Sequence, residues 1–148
     1  MKIKIIGAGL AGCEAAMWLA ERGAEVELYD IKPKSFTPAH TYEGYGELVC
    51  SNSLKSKDVY GNACGLLKEE MRLLGSLMIE AAEETQIPAG GALAVEREAF
   101  SAYITRRIKN HPNISIVCEE VKKVPEEWCI VATGPLKTSA LSDDIKGI

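Results

Sequence analysis

The sequence has no apolar run approaching the roughly 18 residues that would suggest a bilayer span, so a membrane-crossing helix is not expected. It has no surplus of positive charge either: 17 Lys and Arg stand against 21 Asp and Glu, a formal net charge of -4. That balance argues against a broad electrostatic grip on nucleic acid, which depends on neutralising phosphates, and confines any RNA contact to local patches. Histidine is scarce, with only His40 and His111. The five cysteines (Cys13, Cys50, Cys64, Cys118 and Cys129) are odd in number and scattered, with no Cys-x-x-Cys pair. A structural zinc and a disulfide framework are therefore not expected. Neither a basic leader nor a small-residue cleavage site precedes Ile3-Lys4-Ile5-Ile6, so a cytoplasmic location is expected. There is no internal repeat and no low-complexity tract.

What is present is one domain's worth of chain, 148 residues with 47% hydrophobic and 26% charged side chains. A domain of this size buries about 70% of the surface its unfolded chain exposes. Ile3–Ile6 reads as a short strand, Leu10–Arg22 as an Ala-rich helix stopped by Gly23, and Val26–Asp30 as a second strand, with apolar Val26 and Leu28 alternating with Glu25, Glu27 and Tyr29. From Lys32 to about Tyr60 the chain is dense in Pro, Gly, Ser, Thr and Tyr and reads as a long irregular insertion, the kind usually functional or mobile.

Asn62 is placed to cap a helix whose inner face is Leu67, Met71, Leu74, Met78 and Ala81. After Pro88-Ala89-Gly90-Gly91, a strand over Ala92–Val95 leads into a helix from about Arg97 to Lys109, with Phe100, Tyr103, Ile104 and Ile108 inward. Asn110-His111-Pro112-Asn113 reads as a turn. Ile114–Val117, Val121–Val124 and Trp128–Ala132 are the remaining candidate strands.

Gly7-Ala8-Gly9-Leu10-Ala11-Gly12 has G-x-G-x-x-G spacing directly after a strand and at the opening of a helix, the context this motif needs. The first glycine makes the tight turn, the second lets backbone approach a pyrophosphate, and the third lets helix and strand pack closely. Unpaired N–H groups and the positive end of the helix dipole then form an anion site from backbone alone. Asp30 ends the second strand at about the 20-residue spacing where an acid accepts hydrogen bonds from ribose hydroxyls, and its charge would repel the 2′-phosphate of NADP. The competing reading is an ordinary tight turn with a solvated acid.

Ile130-Val131-Ala132-Thr133-Gly134 resembles the second signature of flavoproteins with two dinucleotide-binding domains, where glycine clears the way for the cofactor. This favours FAD and adds Thr133 and Gly134 to the candidate site. Val95-Glu96-Arg97 resembles the strand-to-helix step that brings a basic residue near FAD. A salt-bridged helix start is the alternative for Arg97. Cys50 lies in the loop Glu47-Leu48-Val49-Cys50-Ser51-Asn52-Ser53-Leu54 among small hydroxyl and amide groups, and residue chemistry leaves it open between packing and reactivity. Cys13, Cys118 and Cys129 fit packing roles, as does Cys64 just inside a helix start. His40 either lines the same site or is a solvated loop residue. Lys32, Lys34, Lys55, Lys57, Arg106, Arg107, Lys109, Lys122 and Lys123 are candidates for RNA contact or simply solvated charge.

Together, Ile6-Gly7-Ala8-Gly9-Leu10-Ala11-Gly12-x-Glu14-Ala15-Ala16, Thr37-Pro38-Ala39-His40, Glu47 to Leu54, Gly65-Leu66-Leu67-Lys68-Glu69-Glu70-Met71, Pro88-Ala89-Gly90-Gly91-Ala92-Leu93-Ala94-Val95 and Ala132-Thr133-Gly134-Pro135-Leu136 resemble the bacterial folate- and FAD-dependent tRNA (uracil-5-)-methyltransferases. That family is itself similar to the larger glucose-inhibited-division flavoproteins. The resemblance covers residues 1 to about 142. It implies an α/β, Rossmann-like FAD/NAD(P)-binding three-layer fold with a mostly parallel sheet, incomplete at its C-terminal end. Residues 1–148 would be the N-terminal part of the FAD-binding domain, with an insertion at about 32–61.

The implied reaction takes a carbon unit from methylenetetrahydrofolate, reduces it through FAD with NAD(P)H as electron donor, and places it on C5 of the T-loop uridine of tRNA. Cys50 matches one of the family's two functional cysteines. The other, the nucleophile on uracil C6, would belong to a later segment. A thiolate adding at C6 makes C5 carbanion-like, so the chemistry needs an activated thiol and a proton acceptor. Members often carry Glu where this chain has Asp30, a change of reach rather than role. Two other readings remain from the residues: a dinucleotide-binding module without catalysis of its own, and an unrelated FAD- or NAD-dependent oxidoreductase.

Overall fold

The structure is a computed structural model and describes residues 1–135 and 137–148; Leu136, quoted in the last motif above, lies outside the described residues. Four strands, β1 (Lys2–Ile6), β2 (Glu25–Asp30), β6 (Ile114–Cys118) and β7 (Cys129–Val131), form a parallel sheet in the order β6-β2-β1-β7. Ile6 lies in register with Tyr29 on one side and Val131 on the other. The chain therefore leaves the carboxyl edge at three adjacent points, Gly7, Asp30 and Ala132. The chain steps outward from β1 through β2 to β6 and then crosses back to place β7 on the other side of β1, and such a switch point is where open α/β sheets leave a crevice.

Helix α1 (Leu10–Glu21) lies on this sheet through Gly12, Cys13, Ala16, Met17 and Ala20, all buried. Small side chains let helix and strand backbones come close: a Cβ on Gly12 would sit 1.8 Å from the Gly7 carbonyl oxygen. Gly23, at φ +82°, ends the helix in a conformation that favours glycine. Beyond α1 pack α3 (Leu77–Glu84) and α4 (Arg97–Asn110), the latter burying Phe100, Ile104 and Ile108 against the same core as Ile5, Val26 and Leu28.

The remaining elements depart from the expected course in several places. The helix expected from Asn62 to Ala81 is two helices. α2 (Ala63–Leu73) is capped by the Asn62 side chain, and α3 restarts after Gly75, φ +76°, with Ser76 as its cap. The apolar period runs through the break, but Leu67 and Leu74 are exposed, and α2 buries only Gly65 and Lys68, whose ammonium donates to the Cys64 carbonyl at 2.7 Å. Cys64 is exposed rather than packed.

β3 (Ser53–Ser56), inside the supposed irregular insertion, pairs with β5 (Ala92–Val95), which also pairs with the two-residue β4 (Gln86–Ile87) in an antiparallel sheet. Val121–Val124 forms no strand. Val124 N–H instead donates to the Asp144 carboxylate at 2.8 Å, tying this stretch to the unanticipated helix α5 (Ser139–Lys146). The Asn110–Asn113 turn forms as expected, with Asn113 N–H donating to His111 Nδ1.

Glu14 explains why α3 docks where it does. From the middle of α1 its carboxylate accepts hydrogen bonds from Ser76 Oγ at 3.0 Å, Leu77 N–H at 3.2 Å and Met78 N–H at 2.9 Å. It is a charged cap supplied by another helix, and three donors left without partners would each want solvent they cannot freely reach. Glu14→Ala is expected to lower stability by about 2 kcal/mol, the upper range for loss of a cap, in a urea unfolding experiment. Glu14→Gln, which keeps an acceptor oxygen, should recover part of it.

Candidate functional site at the carboxyl edge of the parallel sheet

Gly7 extends the ladder by donating its N–H to the Tyr29 carbonyl at 2.8 Å, and Ala132 N–H closes the other side on the Ile6 carbonyl at 2.8 Å. The turn then reverses at φ +101°, and a Cβ on Gly7 would lie 2.8 Å from the Ala132 carbonyl oxygen. Only glycine serves there. The first helical hydrogen bond of α1 runs from Cys13 N–H to the Gly9 carbonyl at 3.0 Å. The N–H groups of Leu10, Ala11 and Gly12 precede it, with no side-chain cap and no acid in the first turn. At Gly9 a Cβ would meet nothing within 4 Å. An open cradle before an uncapped helix mouth fits a phosphate group.

This mouth opens on a cleft of about 640 Å³ whose lining includes Gly7, Ala8, Gly9, Leu10 and Ala11 on one side and Thr133 and Gly134 on the other. Gly12 lies beneath as a packing residue. Asp30 also lines the cleft. Its carboxylate accepts from Ala8 N–H at 2.7 Å and Lys32 N–H at 2.9 Å, so it braces both backbone segments that border the cleft.

The insertion folds across the far end. Gly46 N–H donates to the Ala8 carbonyl at 2.9 Å, Tyr45 N–H to Thr105 Oγ1 at 2.7 Å and Ser101 Oγ to the Tyr45 carbonyl at 2.5 Å, so α4 and the glycine turn hold the loop between them. Lys32 is buried, donating to the Tyr42 and Gly44 carbonyls. Glu47 Oε1 accepts from the N–H groups of Thr41 and Tyr42, while Oε2 makes no hydrogen bond and is balanced by the Lys32 ammonium 3.5 Å away. Burial pushes the Glu47 carboxyl up, but the Thr41 and Tyr42 N–H groups and the Lys32 charge outweigh it and hold the group below the ordinary carboxylate range. This arrangement brings Glu47, His40 and Cys50 to the cleft wall.

Of the sequence-derived candidates, Cys50 is exposed and lines the cleft with the glycine turn, Asp30, Thr133 and Gly134. Arg97 is not brought there. Its guanidinium donates to the Leu48 and Val49 carbonyls instead. Cys13 is fully buried, and desolvation, reinforced by the Asp30 charge, pushes its thiol far above the ordinary range, as befits a packing residue. Three candidate RNA contacts are engaged elsewhere: Lys32 as above, Lys34 on the Cys118 carbonyl, and Arg107 with Glu80 and Glu21. Sequence reading missed Thr138 and Leu141, which line the cleft from the start of α5. A capping-type Thr followed by Leu141 and Ile145 four residues apart was the available signal. Among the described residues no cluster of three or more His, Cys, Asp or Glu suits a metal ion, and no helix is long and apolar enough to cross a membrane.

A parallel sheet carrying a glycine turn, an uncapped helix mouth and a strand-end acid around one cleft defines the Rossmann-like α/β class shared by FAD-dependent oxidoreductases. Within it, the chain belongs to the family described as glucose inhibited division protein A, which it matches over residues 2–145. It is 54% identical over 144 residues to methylenetetrahydrofolate–tRNA-(uracil-5-)-methyltransferase TrmFO of Bacillus subtilis, covering 97% of this chain and 33% of that protein. The enzyme of the same name from Listeria monocytogenes serotype 4b is 53% identical, with the same coverage. The chain thus spans about a third of the length of the curated relatives it matches. Among solved structures, Aquifex aeolicus GidA superposes with a TM-score of 0.67 at 22% identity, over 85% of this chain and 21% of that one. CtdE in complex with FAD superposes at 0.51 and 14% identity, over 86% and 32%. At these identities the structural likenesses speak for the fold.

Proposed function

We propose that the chain is the FAD-binding portion of a methylenetetrahydrofolate–tRNA-(uracil-5-)-methyltransferase. The observation that carries this reading is the uncapped mouth of α1, opening on the same cleft as Asp30 and Cys50. The pyrophosphate would take the N–H groups of Leu10, Ala11 and Gly12, with Gly9 leaving it room. Asp30 spends one acceptor position of each oxygen on backbone, and a carboxylate offers about four such positions. The rest can receive ribose hydroxyls, while a 2′-phosphate would meet its charge. Thr133 and Gly134 would border the cofactor from the β7 side.

When bound, the flavin supplies the electrons that reduce the transferred carbon unit. The chain's own residues hold phosphate and ribose, shape the cleft through the insertion, and present the Cys50 thiol at its wall. In this reading the carbon unit comes from methylenetetrahydrofolate, NAD(P)H is the electron donor, the acceptor is C5 of the T-loop uridine of tRNA, and the protein works in the cytoplasm without a metal. The strong identity to relatives bearing that name supports the assignment.

Titrating the chain with FAD while following flavin fluorescence tests the cofactor assignment. Saturable one-to-one binding that NADP⁺ does not displace is expected. Preference for NADP⁺ over FAD would contradict it.

A further inference from the structure

We propose that Arg97 is a positioning residue for Cys50, acting on the backbone of the turn that carries the thiol, and does not bind the cofactor. The inference rests on the FAD reading above. Arg97 is the first residue of α4, whose start is fixed by Glu96 accepting from the N–H groups of Glu98 at 3.1 Å and Ala99 at 2.6 Å. From that anchored base Arg97 Nη2 donates to the carbonyls of Leu48 and Val49, the two residues immediately before Cys50. On the other side of Cys50, Asn52 is tied to β5 twice: its carbonyl accepts from Val95 N–H at 3.0 Å, and its Nδ2 donates to the Val95 carbonyl at 3.2 Å.

Cys50 thus sits in a short span clamped at both ends to Val95–Arg97, consecutive residues at the β5–α4 junction. Leu48, buried, supplies the apolar footing of the same turn. Cys50 itself is exposed on the cleft wall, so its placement relative to a bound ring depends on the carbonyls before it and the amide after it. The two N–H bonds of one planar Nη2 group reach two successive carbonyls in fixed directions. A lysine ammonium, a single point on a flexible stem, satisfies such a pair less well.

The full chain is compared with Arg97→Gln and Arg97→Lys in three measurements: FAD affinity, amide hydrogen exchange by mass spectrometry, and the protection of Cys50 against iodoacetamide by bound FAD, with exposed Cys64 as internal control. For Arg97→Gln the expected result is exchange about tenfold faster at the Val95 N–H that the Asn52 carbonyl holds, the worth of one or two lost hydrogen bonds, with the rest of the chain unchanged. FAD protection of Cys50 is lost by a similar factor while FAD affinity and Cys64 alkylation stay unchanged. Arg97→Lys should fall between. A fall in FAD affinity with Cys50 protection intact would make Arg97 a cofactor ligand and overturn the proposal, as would unchanged exchange and protection, or loosening spread over the whole chain. If the unsubstituted chain binds no FAD, the cofactor reading fails, and local hydrogen exchange alone still decides whether Arg97 holds the turn.

Discussion

Gly9→Ala leaves the fold intact and abolishes most of the affinity for FAD. Gly9 has φ -74° and ψ -170°, a backbone any residue adopts, and a Cβ there touches nothing in the chain within 4 Å. Stability should stay within about 0.5 kcal/mol, as for substitutions that disturb no packed feature. The new methyl instead occupies the approach to the N–H groups of Leu10, Ala11 and Gly12. Loss of two charge-assisted hydrogen bonds of about 1.5 kcal/mol each lowers affinity about a hundredfold. A thermal melt and a flavin titration on the same sample check both halves. Unchanged affinity would mean the phosphates lie elsewhere.

Gly12→Ala, three residues away, is expected to fail through the fold. Its Cβ would lie 1.8 Å from the Gly7 carbonyl oxygen and 3.0 Å from that carbonyl carbon, an overlap with backbone that rotamer change cannot relieve. Helix α1 must lift off the end of β1, and with it the Ala16 and Ala20 contacts that close the core. The expected destabilisation is about 3 kcal/mol, at the severe end for overpacking. For a domain of this size that corresponds to a fall in Tm of about 10 °C. FAD binding should weaken as well, because the displaced helix carries the Leu10, Ala11 and Gly12 N–H groups with it, but here the loss accompanies a lowered Tm that Gly9→Ala does not show. The contrast between the two alanines separates a glycine kept for ligand access from one kept for packing, although the motif writes them identically.

The β1-α1-β2 unit and its glycine turn were legible because every signal is local: alternation, an Ala-rich helical run, glycines at fixed offsets, and an acid at the strand end. Thr133 and Gly134 were picked out by a short motif at the same carboxyl edge, whereas Cys50, open between packing and reactivity on its own chemistry, was singled out by the family resemblance. The insertion was not legible, because what orders it is remote in sequence. Tyr45 is held by Ser101 and Thr105, Gly46 by Ala8, and the buried Lys32 meets Glu47 across the loop.

The apolar period from Leu67 to Ala81 hid a helix break, since one glycine in a helix costs only about 1 kcal/mol against alanine and leaves the pattern unbroken. Glu14 gave no local hint of its role, as its partners Ser76, Leu77 and Met78 come from another helix. Arg97 was read as a basic group near the cofactor because its motif fits that step. The structure turns it onto carbonyls in the insertion, which a linear pattern does not reveal.

The most direct test of the central claim, that backbone amides at the mouth of α1 hold the phosphates, is an amide NMR titration of the ¹⁵N-labelled chain with FAD. The largest shifts are expected on the N–H groups of residues 8–12, with smaller ones at Asp30 and Gly134. Amides 8–12 that stay unmoved while the shifts gather at another surface would contradict it.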